Sequence, residues 1–345
     1  MKVISIQASA IEARQREHEG GEMQHCRLGL LAVFLLIHPI AALAQTWPEP
    51  GRELKVFVGF PPGSGADTNV RFFATKLAAI SGHPVIVENR PGMLSSLAAD
   101  AVAKSAPNGY TILLTGVASS HGANTVLFKK LPYDPVKDFT AVTTLFQGNF
   151  LLMVNAGSPH RSVAELTAAL RAAGSKASYG YGSPMALAAS ELYKVRAGLQ
   201  TVGIAYKTSV ASLPEMYGGA LDFQFIDGTF GSAQMRAGKL RALAIASGER
   251  SSLLDVPTMA EAAGMPEFDI SPWWAAFLPA SAPQSAVARL EGWFNQVVAM
   301  DETRKFLAGN VAEPSPGNAK VLVGRLDREL RKWSELAKII KFEAE

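Results

Sequence analysis

The stretch Val56–Asp67, VFVGFPPGSGAD, decides the fold. Val56–Phe60 reads as a buried strand, Pro61-Pro62-Gly63 as a turn, and the residues beyond as a helix with Asp67 as its expected N-cap. Val70, Phe73, Ala74, Leu77 and Ile80 then recur at helical spacing. A glycine turn between strand and helix leaves backbone N–H groups pointing outward at the positive end of the helix dipole. Such a turn suits an anion, either phosphate or carboxylate.

Further strands are expected at Pro84–Glu88, Tyr110–Gly116, Phe150–Val154, Ala177–Gly182, Val202–Tyr206, Leu221–Asp227 and Leu240–Ser247. Helical segments such as Val163–Ala173, Ala186–Arg196 and Val210–Tyr217 lie between them. Near-continuous apolar strands alternating with helices predict an α/β protein with largely parallel sheets flanked by helices. The length fits two such sheets better than one. Phe139–Val154, broken at Gln147-Gly148-Asn149, reads as a crossing between lobes, with a return crossing at Ile270–Pro279. The helices Ser285–Met300 and Pro316–Lys338 would then rejoin the first lobe. The expected organisation is a two-lobed clamshell hinged on two strand crossings. One lobe comprises residues 45–147 and 268–345, the other residues 148–267.

Residues 1–44 read as a signal peptide. Arg27 precedes the apolar run Leu28–Ile40, which is short for a bilayer span, and Ala42-Leu43-Ala44 follows it. Cleavage is expected after Ala44, and Met23 is a candidate true start. The cut removes four basic and four acidic residues, so the net charge of +3 is unchanged. It also removes Cys26, the only cysteine, and with it disulfide and thiolate chemistry. The mild charge shows no basic cluster for nucleic acid. His83, His121 and His160 are too scattered for a metal site, and neither a metal nor a cofactor is expected.

Ligands of open parallel sheets sit beyond the carboxyl ends of the strands. Five successive strand ends here are rich in Gly, Ser, Thr or a lone acid: Phe60–Asp67, Gly116–His121, Gly180–Ser183, Tyr206–Ser209 and Asp227–Thr229. Any one of them could be turn chemistry, but together they outline a polar cleft. Asp227 can cap the helix after it, accept a bond from an ammonium or hydroxyl, or do both. Trp273 and Trp274 are placed to line the cleft, with core packing the expected role of at least one. His121, taken alone, reads as a structural histidine.

The chain resembles the periplasmic substrate-binding receptors of tripartite tricarboxylate transporters, the Bug receptors. The resemblance is carried in order by VFVGFPPGSGAD, PVIVENRPG (Pro84–Gly92), APNGYTILL (Ala106–Leu114), KKLPYDPVKDF (Lys129–Phe139), YKTS (Tyr206–Ser209), GGALDFQFID (Gly218–Asp227) and the long run Ala237–Ala262. It implies two α/β lobes around a cleft, a small organic carboxylate ligand, no catalysis, and delivery to the membrane subunits of such a transporter. A monomer is expected. Carried over by position, the ligand-binding residues would be Phe60, Gly63, Ser64, Gly65, Ala66 and Asp67 on the first loop. Ser119, Ser120, His121, Gly182, Ser183, Tyr206 and Asp227 would complete them from the other loops. The chain departs from the family's Pro-Gly-Gly at Ser64, has Met93-Leu94-Ser95-Ser96 where glycines are usual, and places Pro184 in the third loop. These departures bear on which carboxylate is bound.

Three rival readings remain. Gly63-x-Gly65 after a strand, with Glu88 23 residues beyond, partly matches a dinucleotide-binding oxidoreductase, but Thr68 stands at the third glycine position. Ser119 and Ser120 beside His121 suggest a hydrolase only by adjacency, and no G-x-S-x-G elbow occurs. A receptor of the same fold could also report to a sensor kinase.

Overall fold

The computed structural model describes residues 47–340. The apolar run Leu28–Ile40, the expected cut after Ala44, and Cys26 lie outside the described residues. β1 (Leu54–Val58) runs through the Pro/Gly turn into α1 (Gly65–Ser81). There follow β2 (Val85–Asn89), α2 (Ser96–Ala103), β3 (Thr111–Gly116), α3 (Asn124–Leu127) and β4 (Phe139–Gln147). The chain continues through β5 (Phe150–Asn155), α4 (Val163–Ala173), β6 (Ser178–Tyr181), α5 (Pro184–Ala197) and β7 (Val202–Ala205). Next come α6 (Leu213–Gly218), β8 (Phe223–Asp227), α7 (Gly228–Arg236), β9 (Leu240–Ile245) and α8 (Met259–Ala263). β10 (Trp273–Pro279), α9 (Gln284–Ala299), α10 (Asp301–Gly309), β11 (Glu313–Pro314) and α11 (Ala319–Ile340) complete it.

The strands form two sheets, ordered β11-β4-β10-β3-β1-β2 and β7-β6-β8-β5-β9. β1 pairs in parallel with β2 and β3, and β6 with β7 and β8. The sheets are mixed because β10 runs against β3 and β4, β11 against β4, and β5 against β8 and β9. The reversal at β5 and β10 has a topological cause. The other long strands end at the gap between the sheets, so a strand that receives the chain from the opposite sheet must start there and run away from it. The first crossing therefore narrows to Gly148–Asn149, between β4 of one sheet and β5 of the other.

The cap of α1 differs from expectation. Ser64, not Asp67, is the N-cap: it has extended backbone angles, and its hydroxyl accepts from Asp67 N at 3.2 Å. Asp67 lies in the first turn, where its carboxylate reaches back to Gly63 N at 2.9 Å and across to Arg71 at 2.9 Å. An acid there favours the helix dipole without occupying the cap.

The last helix joins the two halves. Leu322, Leu326, Glu329, Trp333, Leu336 and Ile340 recur every three or four residues and form the buried stripe of α11. Leu322 and Leu326 pack in the cluster around β3 and β10, whereas Trp333, Leu336 and Ile340 pack in the core of the second sheet. That second core also takes in Ala118, Ala123 and Leu127 from the first half. The single polar member of the stripe, Glu329, accepts the indole N–H of Trp273 at 3.0 Å and of Trp333 at 2.7 Å. Both buried donors are thereby satisfied.

Candidate functional site

The strand ends of both sheets converge on one cavity of about 80 Å³. That volume corresponds to roughly six water positions, enough for a small organic acid and far short of a dinucleotide. The first sheet contributes the β1–α1 loop, Gly116, Phe146 and Trp274; the second contributes Phe150, Gly182, Ser183 and the Thr208–Val210 turn. The crossing residues Gly148, Asn149 and Pro272 form its back wall.

Three helices present their N-termini to this cavity: α1 at Ser64–Ala66, α5 at Ser183, and α7 at Asp227–Thr229. Each is capped by its own side chain, with Ser183 accepting from Ala186 N at 3.2 Å and Asp227 from Phe230 N at 2.9 Å. Their dipoles supply positive potential where, among the described residues, no Lys, Arg or His lines the wall. Lys207, the one cation close by in sequence, is exposed and outside the lining.

The glycines of the cavity permit close approach. A Cβ on Gly65 would lie 2.1 Å from Oδ1 of Asp227, so the α7 cap rests directly on the start of α1. A Cβ on Gly182 would fall 2.2 Å from the carbonyl carbon of Thr208, where two backbone segments touch. Desolvation pushes the Asp227 carboxyl above the ordinary carboxylate range, against the lowering effect of the N–H groups of its own helix. Beside it, Asn69 of α1 donates to Thr229 Oγ1 of α7 at 3.0 Å, a buried bond between the two halves. Arg236 and Ser232 of α7 donate to the carbonyl of Gly309 at 2.8 and 3.3 Å, adding a second point of contact.

Of the residues named from sequence, Phe60, Ser64, Gly65, Ala66, Ser119, Gly182, Ser183 and Asp227 line the cavity. Gly63, Asp67, Ser120, His121 and Tyr206 do not. Gly63 adopts φ +79° and forms the turn. The Asp67 carboxylate is turned inward. Burial acts to raise its pKa, but bonds from Arg71, Asn89 and Gly63 N outweigh this and hold it below the ordinary range. Tyr206 packs over Gly180 and bonds to Glu215. His121 is fully buried, stacked on Phe277 at 4.2 Å, with Nδ1 2.7 Å from Ser120 Oγ and no hydrogen-bond partner for Nε2. Burial lowers its pKa to about 3, so the ring is neutral. The Ser120–His121 pair therefore has neither an orienting acid nor access to the cavity. Glu88 pairs with Arg90 at 3.1 Å, also away from the cavity.

Sequence reasoning missed Asn69, Thr229, Phe146, Phe150, Met185 and Asn310. The spacing of Asn69, four residues after Gly65, could have found it, since that places it one turn into α1. Asn310 arrives from α10, a helix the sequence reading did not anticipate, and carried no such signal. Of the two tryptophans, Trp274 lines the cavity, and Trp273 is core with Arg325 4.5 Å over its ring.

Comparison with known proteins places this geometry in context. Residues 70–342 match the model of the tripartite tricarboxylate transporter family receptor. The chain is 29% identical to protein BugT of Bordetella pertussis over 310 residues, covering 89% of this chain and 95% of BugT. Among solved structures it is similar to R. palustris Rpa4515 with adipate, with TM-score 0.82, 26% identity and coverage of 86% and 99% of the two chains. It is also similar to MatC from Rhodopseudomonas palustris with bound malate, with TM-score 0.76, 27% identity and coverage of 83% and 99%.

Proposed function

This chain belongs to the tripartite tricarboxylate transporter family of receptors, and from that premise we propose that its cleft captures a small organic carboxylate in the periplasm for a transporter of that kind. The observation that carries the reading is the convergence of three helix N-termini from both halves on one cavity without a lining cation. The related proteins solved with adipate and with malate support the ligand class. Phe60, Ser64, Gly65, Ala66, Ser119, Gly182 and Ser183 are the proposed contacts, with backbone N–H groups of the first loop meeting the carboxylate. Asp227 and Asn69 shape the opposite side. Residues 45–147 and 268–340 act as one lobe and residues 148–267 as the other, flexing at Gly148–Asn149 and Ile270–Pro272. Export is by the leader, with Gln45 as the first mature residue; mass spectrometry of the protein from its own host reads this directly.

A thermal-shift screen of the purified protein against small carboxylates tests the ligand class. An acid at 100 times its dissociation constant adds about 2.7 kcal/mol and raises the midpoint by roughly 5 °C or more. If no carboxylate shifts the midpoint, the reading fails.

A further inference from the structure

Resting on the carboxylate-capturing cleft proposed above, we infer that this chain's cavity accepts a ligand with one carboxylate and an otherwise uncharged, apolar body, and rejects the matching dicarboxylate.

Positive potential at the cavity wall comes from helix ends alone. α1, α5 and α7, of 17, 14 and 9 residues, each contribute roughly half a unit charge, about +1.5 together. Asp227 is the one ionisable side chain among the described lining residues. Ionised, it leaves a net of roughly +0.5; protonated, it leaves roughly +1.5. Either value suits a single carboxylate, and neither meets the two negative charges of a dicarboxylate.

The polar side chains that could solvate a second carboxylate are already engaged. Asn69 is bonded to Thr229, Asn149 to the carbonyl of Val311 at 3.0 Å, and Ser64 to Pro61 O and Asp67 N. Ser183 and Thr208 accept from Ala186 N and Ala211 N. The remaining wall is apolar: Phe60, Phe146, Phe150, Met185, Trp274 and Phe230. Phe146 is fixed in a parallel stack between Trp274 at 5.5 Å and Phe73 at 5.4 Å, so this wall cannot turn a polar group inward. A second carboxylate placed against it would be desolvated without a partner.

The test is isothermal titration of the purified protein with chain-matched acids: hexanoate against adipate, benzoate against terephthalate, and further pairs of the same kind. The expected result is at least one monocarboxylate that binds, with its dicarboxylate partner roughly a hundredfold weaker, the scale of an uncompensated buried charge. A dicarboxylate that binds as tightly as its partner, or tighter, overturns this inference and leaves carboxylate capture standing. If no acid of any kind binds, carboxylate capture itself falls, and this inference with it. Val210 lines the cavity and is 39% exposed, so Val210→Lys adds a cation there without disturbing the core. It should improve dicarboxylate affinity roughly tenfold, the worth of one well-placed ion pair. No improvement in a folded variant would mean that shape, not charge, rejects the second carboxylate, and would overturn the charge argument.

Discussion

Gly65→Ala probes the contact that joins the two halves at the cavity. The added Cβ would fall 2.1 Å from Asp227 Oδ1, and that same oxygen caps α7 at Phe230 N. The carboxylate must rotate away. Overpacking then costs about 1–3 kcal/mol, and loss of the cap about 1 kcal/mol more. Alanine's helix preference over glycine returns at most about 1 kcal/mol, so the variant should be about 1–3 kcal/mol less stable. In an Asp227→Ala background the obstructing oxygen and the cap are both already gone. There Gly65→Ala should be neutral or stabilising by up to about 1 kcal/mol. The double-mutant cycle therefore predicts a coupling of about 2–3 kcal/mol, read by urea denaturation of the four proteins with far-UV circular dichroism. Equal cost in both backgrounds would refute the contact between Asp227 and the start of α1.

Three other perturbations separate the supports of the site. Glu329→Leu strands two buried indole donors and should cost about 2–5 kcal/mol in thermal denaturation, with Glu329→Gln milder because one acceptor remains; a Leu variant as stable as wild type contradicts the bridging role of α11. His121 stays neutral when folded, its pKa lowered by burial to about 3, whereas the unfolded chain takes up a proton near pH 6.5. The stability it protects is complete above pH 6.5 and declines as pH falls toward 3, by up to about 1.4 kcal/mol per pH unit, and His121→Gln should remove that share of the slope. Thr229→Val leaves the buried Asn69 amide short of a partner and should cost about 1–3 kcal/mol, while Asn69→Ala added to it should cost little more; additive losses would mean that the two side chains do not bond in solution.

The architecture was legible in the sequence because its signals are local. Apolar runs such as Leu113–Leu114 and Phe223–Ile226 identify strands, and glycine or serine at their ends identifies the turns, so strand limits fall within two residues or so of the expected ones. The reversal of β5 and β10 was not legible, since strand direction depends on which sheet receives the chain. Within the site, the glycine loop, Ser183 and Asp227 were readable from position alone. Asp67 misled because Ser64 and Asp67 are both good capping types three residues apart, and only backbone angles decide which one caps. His121 and Ser120 sit at a strand end as expected, but the π-helical turn Ala118–Gly122 winds their side chains into the core beneath Tyr133. The split of the α11 stripe between two cores needed the packing of distant segments, which periodicity does not report.

The central claim is that backbone N–H groups at helix ends hold the ligand's charge without a side-chain cation. The most direct measurement is a crystal structure of the protein with the acid that gives the largest thermal shift. The account predicts its carboxylate at the Ser64–Ala66 turn, within hydrogen-bond distance of main-chain nitrogen or one water away, and contacts from both sheets around its body. A carboxylate paired with Lys207, or bound outside this cavity, would contradict it.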